Sequence, residues 1–256
     1  MIYHINYSDK NYLESRIKNT QSARKYSCFD EFISLSPDDL DVNFKNQHKK
    51  ILKQYKGAGY WLWKPYIILE HLKKINDNDI IFYTDAGSEI ISDPKPLIDL
   101  LDKYNQDIIP FNLELKNYMY TKRDTFILMN ADDDRYHSAN QCCGSILLVK
   151  KSALSMKFFE DYLKFASDER IITDIRNVMG QPNLDGFISH RHDQAIFSIL
   201  VEKYKFQRFR NPSQFGEPFK NKYSNSDYNT IINETRNRVK DLRYYLFKMK
   251  EFLIKS

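Results

Sequence analysis

Glycine is scarce in this chain, with 7 among 256 residues and none within residues 1–25. That absence argues against the Gly-rich, basic loop that a nucleotidyltransferase usually carries near its N-terminus to hold phosphates. Long apolar runs are missing too: no stretch approaches the ~20 consecutive apolar residues of a membrane-spanning helix. The opening Met1-Ile2-Tyr3-His4-Ile5 lacks the basic region and apolar core of an export signal. The chain is therefore expected to be neither inserted nor exported by a signal of its own. Cysteine is limited to Cys28 and the adjacent pair Cys142-Cys143, an odd number without metal-site spacing, and vicinal cysteines rarely close a disulfide. A reducing cytoplasm is the expected compartment. No charge of one sign dominates: 39 Lys and Arg against 34 Asp and Glu leave +5, scattered until the end of the chain, so nucleic acid is not indicated as a partner. There are no internal repeats and no Gly/Ser-rich linker.

What is present is the material of one larger α/β domain, or one domain with an appendage. Hydrophobic residues make up 42% and charged residues 29%, which indicates neither disorder nor a membrane protein. Loose alternation predicts a strand over 1–8, followed by a polar helix over 12–25 and a strand over 29–35. Helices are expected over 44–55, over 66–74 with Pro65 as the first helical residue, over 97–104, over 152–166 and over 195–203. Short strands are expected over 107–111, 146–149 and 205–210. Residues 112–140 are polar and mixed and read as an insert near a site rather than as sheet.

The most informative run is Asp79-Ile80-Ile81-Phe82-Tyr83-Thr84-Asp85-Ala86-Gly87-Ser88-Glu89-Ile90. Its short apolar core reads as a buried strand of a parallel sheet, and such sheets bind ligands at their strand ends. Asp85 lies just past that end. A carboxylate there suits a divalent cation bridging two phosphates, and Gly87 allows backbone or phosphate to approach closely.

Four features then follow one another along the chain: Trp61-Leu62-Trp63-Lys64-Pro65 at a helix start, the strand ending on Asp85, Gly144-Ser145 turning into a strand, and Asp193-Gln194 opening a helix. Over roughly residues 1–210 this ordered set resembles a nucleotide-sugar glycosyltransferase of the GT-A type. Tyr83-Thr84-Asp85-Ala86-Gly87 resembles the Asp-x-Asp site of the glycogenin-like and yeast mannosyltransferase-like enzymes. Cys143-Gly144-Ser145-Ile146-Leu147-Leu148 is similar to their Asn-x-Gly-hydrophobic segment, and His192-Asp193-Gln194 to the Asp-Gln of their late helix. The Trp61 to Pro65 segment is similar to one in glycosyltransferases of polysaccharide and lipopolysaccharide clusters.

The resemblance implies an α/β fold with a GT-A-like, Rossmann-type mixed sheet flanked by helices. Residues 1–210 would be the nucleotide-sugar-binding catalytic domain, and 211–256 a polar segment ending in a basic, aromatic helix. It implies transfer of a sugar from a nucleotide-sugar donor to a hydroxyl of a glycan or glycolipid acceptor in surface polysaccharide synthesis. Asp85 and Asp193 would be the catalytic pair, with donor contacts from Trp61, Trp63, Lys64, Asp85, Gly87, Arg123, Gly144, Ser145, Arg191 and Gln194. It also implies a divalent cation, Mn²⁺ or Mg²⁺, on Asp85. Here the chain departs from the pattern: Gly87 stands where those enzymes carry a second acid, Glu89 is the nearest substitute, and no histidine follows His192. Positive charge for a departing pyrophosphate would come from a metal, Arg191, Arg236, Arg238 or Lys64.

Each residue also has an ordinary alternative. Asp85 is either a turn former or a ligand of metal or ribose, and Asp193 is a helix cap, a general base or a sugar ligand. Trp61 and Trp63 are either core or the wall of a nucleotide or sugar site. Lys122, Arg123 and Asp124 are either solvated loop or contacts to donor or acceptor. Asp132-Asp133-Asp134 reads as a solvated turn, Cys142 and Cys143 as small buried residues rather than nucleophiles. His190 and His192, two apart, do not share a helix face, so a two-histidine metal site is not expected. The tail over 242–255 interleaves aromatic and aliphatic residues with Lys and Arg; it reads equally as a docked helix or as a peripheral contact with the inner face of a membrane, which would suit a lipid-linked acceptor. The remaining rival is a non-catalytic carbohydrate-binding or scaffold protein.

Overall fold

Strands that are apolar on both faces must be covered on both sides, and this chain covers them with helices. In the computed structural model, which describes residues 1–235, the central sheet has five strands in the order β2-β1-β3-β8-β5. These are β1 (Ile2–Tyr7), β2 (Glu31–Leu35), β3 (Ile80–Thr84), β5 (Ile108–Ile109) and β8 (Ile146–Lys150). β1 runs parallel to β2 and β3, whereas β8 is antiparallel to β3 and β5. The α/β class and the mixed sheet flanked by helices are as expected. The wholly parallel surroundings expected for β3 are not found, since its second neighbour is β8.

Side chains alternate across a strand. Ile81 and Tyr83 therefore enter one core and Phe82 the other. The first core is closed by the helices Trp63–Leu72, Ala153–Ala166 and His192–Lys203, the second by Lys95–Lys103 and the end of Leu13–Ala23. Ser152 starts the Ala153–Ala166 helix through a reciprocal cap with Ser155.

Several expected elements change. The helix over 44–55 is two short ones, Val42–Gln47 and Lys49–Leu52, separated at His48. The strand over 107–111 serves two sheets, because Pro110 has no N–H to donate and splits β5 from β6 (Phe111–Lys116). Residues 112–140 are not free of sheet: β6 pairs with β7 (Asn140–Cys142) and β9 (Phe209–Arg210). The helix after the tryptophans begins at Trp63, with Pro65 in its first turn, where a missing N–H costs nothing. Past Asn211 the chain comes back to the domain, and β10 (Ile232–Glu234) pairs antiparallel with β4 (Ser88–Ile90). The basic helix expected over 242–255, and Arg236 and Arg238 with it, lie outside the described residues. Among the described residues no helix is long and apolar enough to cross a membrane.

The segment before the Trp63–Leu72 helix breaks a backbone rule. Gly57, Ala58, Gly59, Tyr60 and Trp61 have φ of 58, 49, 99, 54 and 60°, one turn of left-handed helix closed by the Tyr60 N–H donating to Lys56 O at 2.7 Å. Left-handed geometry costs each non-glycine residue roughly 1–2 kcal/mol, and Ala58, Tyr60 and Trp61 all bear it. Local contacts offset the cost: the Trp63 indole N–H donates to Gly57 O at 3.0 Å, and the Tyr60 and Trp61 rings lie against His192. Gly59→Ala would put a Cβ 2.6 Å from the Leu52 Cα at φ +99°. We expect it to destabilise the protein by more than ~1 kcal/mol, read as a lower urea midpoint at unchanged slope; an unchanged midpoint would show that the turn is not held this way.

Candidate active site

Because β8 runs antiparallel to β3, the turn that starts β8 faces the end of β3. Thr84 is paired with Ile146, and the Asp85 N–H donates to Ser145 O at 2.8 Å. Two helix starts converge on the same place and bring Lys64 and Asp193. The Lys64 ammonium donates to Asp193 Oδ2 at 2.8 Å and to Gly144 O at 2.8 Å, and lies 3.2 Å from Asp85 Oδ1. Lys64 is 1% exposed, and these three contacts match the three N–H groups it has. The Tyr83 hydroxyl donates to Asp85 Oδ1 at 2.5 Å and the Tyr162 hydroxyl to the Asp193 backbone O at 3.1 Å.

Two carboxylates share one ammonium, and the electrostatics follow. Burial pulls the Lys64 pKa down, but Asp193 and Asp85 outweigh it and leave it above its ordinary value. Burial pushes the Asp193 carboxyl up to about 6, with Lys64 opposing and Asp85 adding to the rise. Tyr83 and Tyr162, buried and facing these acids, are held well above the usual phenol range.

This cluster lies in a cleft of about 1340 Å³. Trp61, Trp63, Lys64, Asp85, Gly87, Gly144, Ser145, Arg191, Asp193 and Gln194, far apart in sequence, all line it. Trp63 is buried and stacked on Tyr7 with ring centroids 3.9 Å apart, while Trp61 is half-buried at the wall. Asp193 is not the cap of its helix: Arg191 holds that position and makes no side-chain cap bond. The Arg191 guanidinium lies 4.4 Å over the Tyr120 ring. Arg123 does not join the group; it pairs with Asp132 at 2.8 Å and is not a lining residue. Its neighbours divide: Lys122 lines the cleft, and Asp124 turns inward to accept the N–H groups of Val178 and Met179.

Sequence reasoning missed other lining residues. Tyr7 ends β1 and Ser8 and Asp9 follow it, and Glu234 arrives on β10 and accepts from Ser145 Oγ at 2.8 Å. The β1 residues had a signal, since the sheet order 2-1-3 makes the ends of β1 and β3 the topological switch point where such sheets bind ligands. Glu234 had none. Burial holds both His190 and His192 neutral, His192 down to about 3, and each makes a hydrogen bond to a backbone carbonyl. Burial likewise raises the Cys142 and Cys143 thiols to about 11 and about 12, as suits inert core residues.

The residues around Asp85 do not suit a divalent ion. Mg²⁺ and Mn²⁺ want several oxygen ligands, but Asp85 Oδ1 already faces an ammonium and a hydroxyl, which leaves Oδ2 as the one oxygen this side chain has to offer an ion. Gly87 offers no side-chain oxygen. Among the described residues no three His, Cys, Asp or Glu side chains are grouped to hold a metal.

No family model matches the chain, and no curated protein matches it. Solved structures resemble it in fold. Mouse xyloside xylosyltransferase 1 in its apo form is 11% identical, with 92% of this chain and 98% of that one covered and a TM-score of 0.47. The galactosyltransferase LgtC, in complex with donor and acceptor sugar analogues, is 12% identical over 92% and 87%, at 0.49. A glycosyltransferase involved in glycosylating the major capsid of PBCV-1 is 9% identical over 92% and 94%, at 0.44.

Lys64→Met would leave Asp193 buried without its cation. A loss of about 3–5 kcal/mol is expected near neutral pH, measured by urea unfolding. Lys64 holds the Asp193 pKa down to about 6, so without it the carboxyl takes up its proton above that value, and the loss should shrink as pH falls toward about 6 and level off below it. An equal loss at every pH would show that the Lys64–Asp193 pair is not its source.

Proposed function

We propose that the protein is a glycosyltransferase that takes a sugar from a nucleotide-sugar donor and passes it to a hydroxyl of a growing surface glycan. The observation that carries this reading is the Lys64 ammonium held between Asp85 and Asp193 beside the crevice at the ends of β1 and β3. Sheets of this order bind nucleotides in that crevice. Sugars are recognised by fixed carboxylates that accept from their hydroxyls, and an ammonium between two carboxylates fixes both.

In this reading the nucleoside lies along Tyr7, Ser8 and Asp9, and the sugar over Asp85 and Asp193, with the Trp61 indole at the wall. The acceptor oxygen forms a bond to the anomeric carbon as the bond from that carbon to the diphosphate oxygen breaks, the electron pair of that bond leaves with the diphosphate, and the acceptor's proton passes to water in the cleft. Negative charge grows on the departing diphosphate, and Lys122 and Arg191 on the cleft wall are placed to offset it. Asp193, already bonded to an ammonium, is better suited to hold sugar hydroxyls than to act as a strong base. The acceptor enters from the open side, past the loop that carries Ile175 and Ile188.

The test is release of nucleoside diphosphate from a panel of nucleotide-sugars with glycan acceptors. Asp85→Asn and Asp193→Asn should each lower kcat/KM at least ~100-fold. In the unaltered enzyme kcat/KM should fall as pH drops through about 6, where Asp193 takes up a proton and its pairing with Lys64 weakens. Full activity in both variants would leave only the binding-protein reading.

A further inference from the structure

One of the two Asp85 carboxylate oxygens already faces a cation supplied from within the chain. We infer that the site binds the diphosphate of its donor without a divalent metal, the Lys64 ammonium standing as a permanent cation where an ion would otherwise sit; this rests on the transferase reading above. Three observations carry it, and each concerns an oxygen that an ion would need.

The first is Asp85 itself. Its Oδ1 accepts from the Tyr83 hydroxyl at 2.5 Å and faces the Lys64 ammonium at 3.2 Å. A divalent ion bound to that oxygen would lie against an ammonium that has no room to retreat, because its other N–H groups are held by Asp193 and Gly144. The second is residue 87. It lacks a side chain, and its carbonyl accepts from both the backbone N–H of Thr235 and Thr235 Oγ1, at 2.7 and 2.9 Å. The third is the pair of spare acids. Glu89 lies in the middle of β4, between buried Ser88 and Ile90, and is not a lining residue of the cleft. Glu234 accepts from Ser145 Oγ.

A lysine in this place changes the electrostatics in a definite way. It cancels one of the two carboxylates at the floor, and because it is held by three partners it needs no reorganisation when a charged ligand arrives. The floor then keeps one negative charge, which suits sugar hydroxyls. The diphosphate is left to Lys122, Arg176 and Arg191 on the facing loops.

The experiment uses the full chain. Thermal stabilisation by UDP, GDP, CDP and ADP is measured in EDTA and again in MnCl₂, and Mn²⁺ is titrated with protein and nucleotide while its free-ion paramagnetic resonance signal is followed. The expected result is a nucleoside diphosphate that raises Tm equally in both media, with Kd within ~3-fold, and an undiminished Mn²⁺ signal. Stabilisation that needs Mn²⁺, or loss of one Mn²⁺ signal per chain, would overturn the metal-free site and leave the transferase reading standing. No stabilisation by any of the four in either medium would bring down the transferase reading and this inference with it.

Discussion

The rest of the site depends on one buried ammonium. Lys64 bonds to groups 80 and 129 residues away along the chain, and each of them comes from a different element. Burying an ammonium costs several kcal/mol unless every donor finds an acceptor. Here the acceptors are supplied by a strand end, a turn and a helix start, so none can drift without stranding the charge. The antiparallel run of β8 is what makes this possible, since it returns Gly144 to the end at which β3 delivers Asp85. Had β8 run parallel, that turn would lie at the opposite end of the strands, beside Ile80 rather than Thr84.

The same shortage of positive charge that holds the cluster also tunes it. Burial pushes Asp193, Tyr83 and Tyr162 toward their protonated forms, and because one cation cannot satisfy two acids the remaining negative charge pushes them further the same way. The two hydroxyls stay donors for that reason, and both donate to the acids' own residues. The core beneath is able to carry such a cluster because the sheet is buried on both faces, which supplies apolar burial well away from the polar group.

Much of this was legible in the sequence, for reasons that can be named. An apolar run that stops on Asp85 marks a strand end, a helix-start proline marks where Lys64 sits, and Gly144 and Asp193 open their own elements; each is a local signal. The pairing of Lys64 with Asp85 is not local, because only the sheet order brings residue 64 to residue 85, and so a carboxylate at a strand end reads first as a metal ligand. β6 was hidden because half of it is Asn112, Glu114 and Lys116, whose polarity hides a strand paired to segments from 140 and 209. Arg123 looked free to meet a ligand only because its partner, Asp132, lies in a run that reads as solvated turn.

The left-handed turn was illegible for a different reason: Ala58, Tyr60 and Trp61 have no propensity for it, and only Gly57 and Gly59 hint at it. Broken local rules of this kind tend to collect where a protein does its work. His192 also sits at positive φ, packs against Tyr60 and Trp61, and has a buried Nε2 with no hydrogen-bond partner among the described residues. The strained turn leads into Lys64 and the strained histidine precedes Asp193. Both departures flank the two helix starts that clamp the ammonium, so the backbone strain and the buried charge mark one site by two independent routes. The strained turn and the strained histidine both lie outside residues 85–87, so the backbone route does not depend on Asp85 or Gly87.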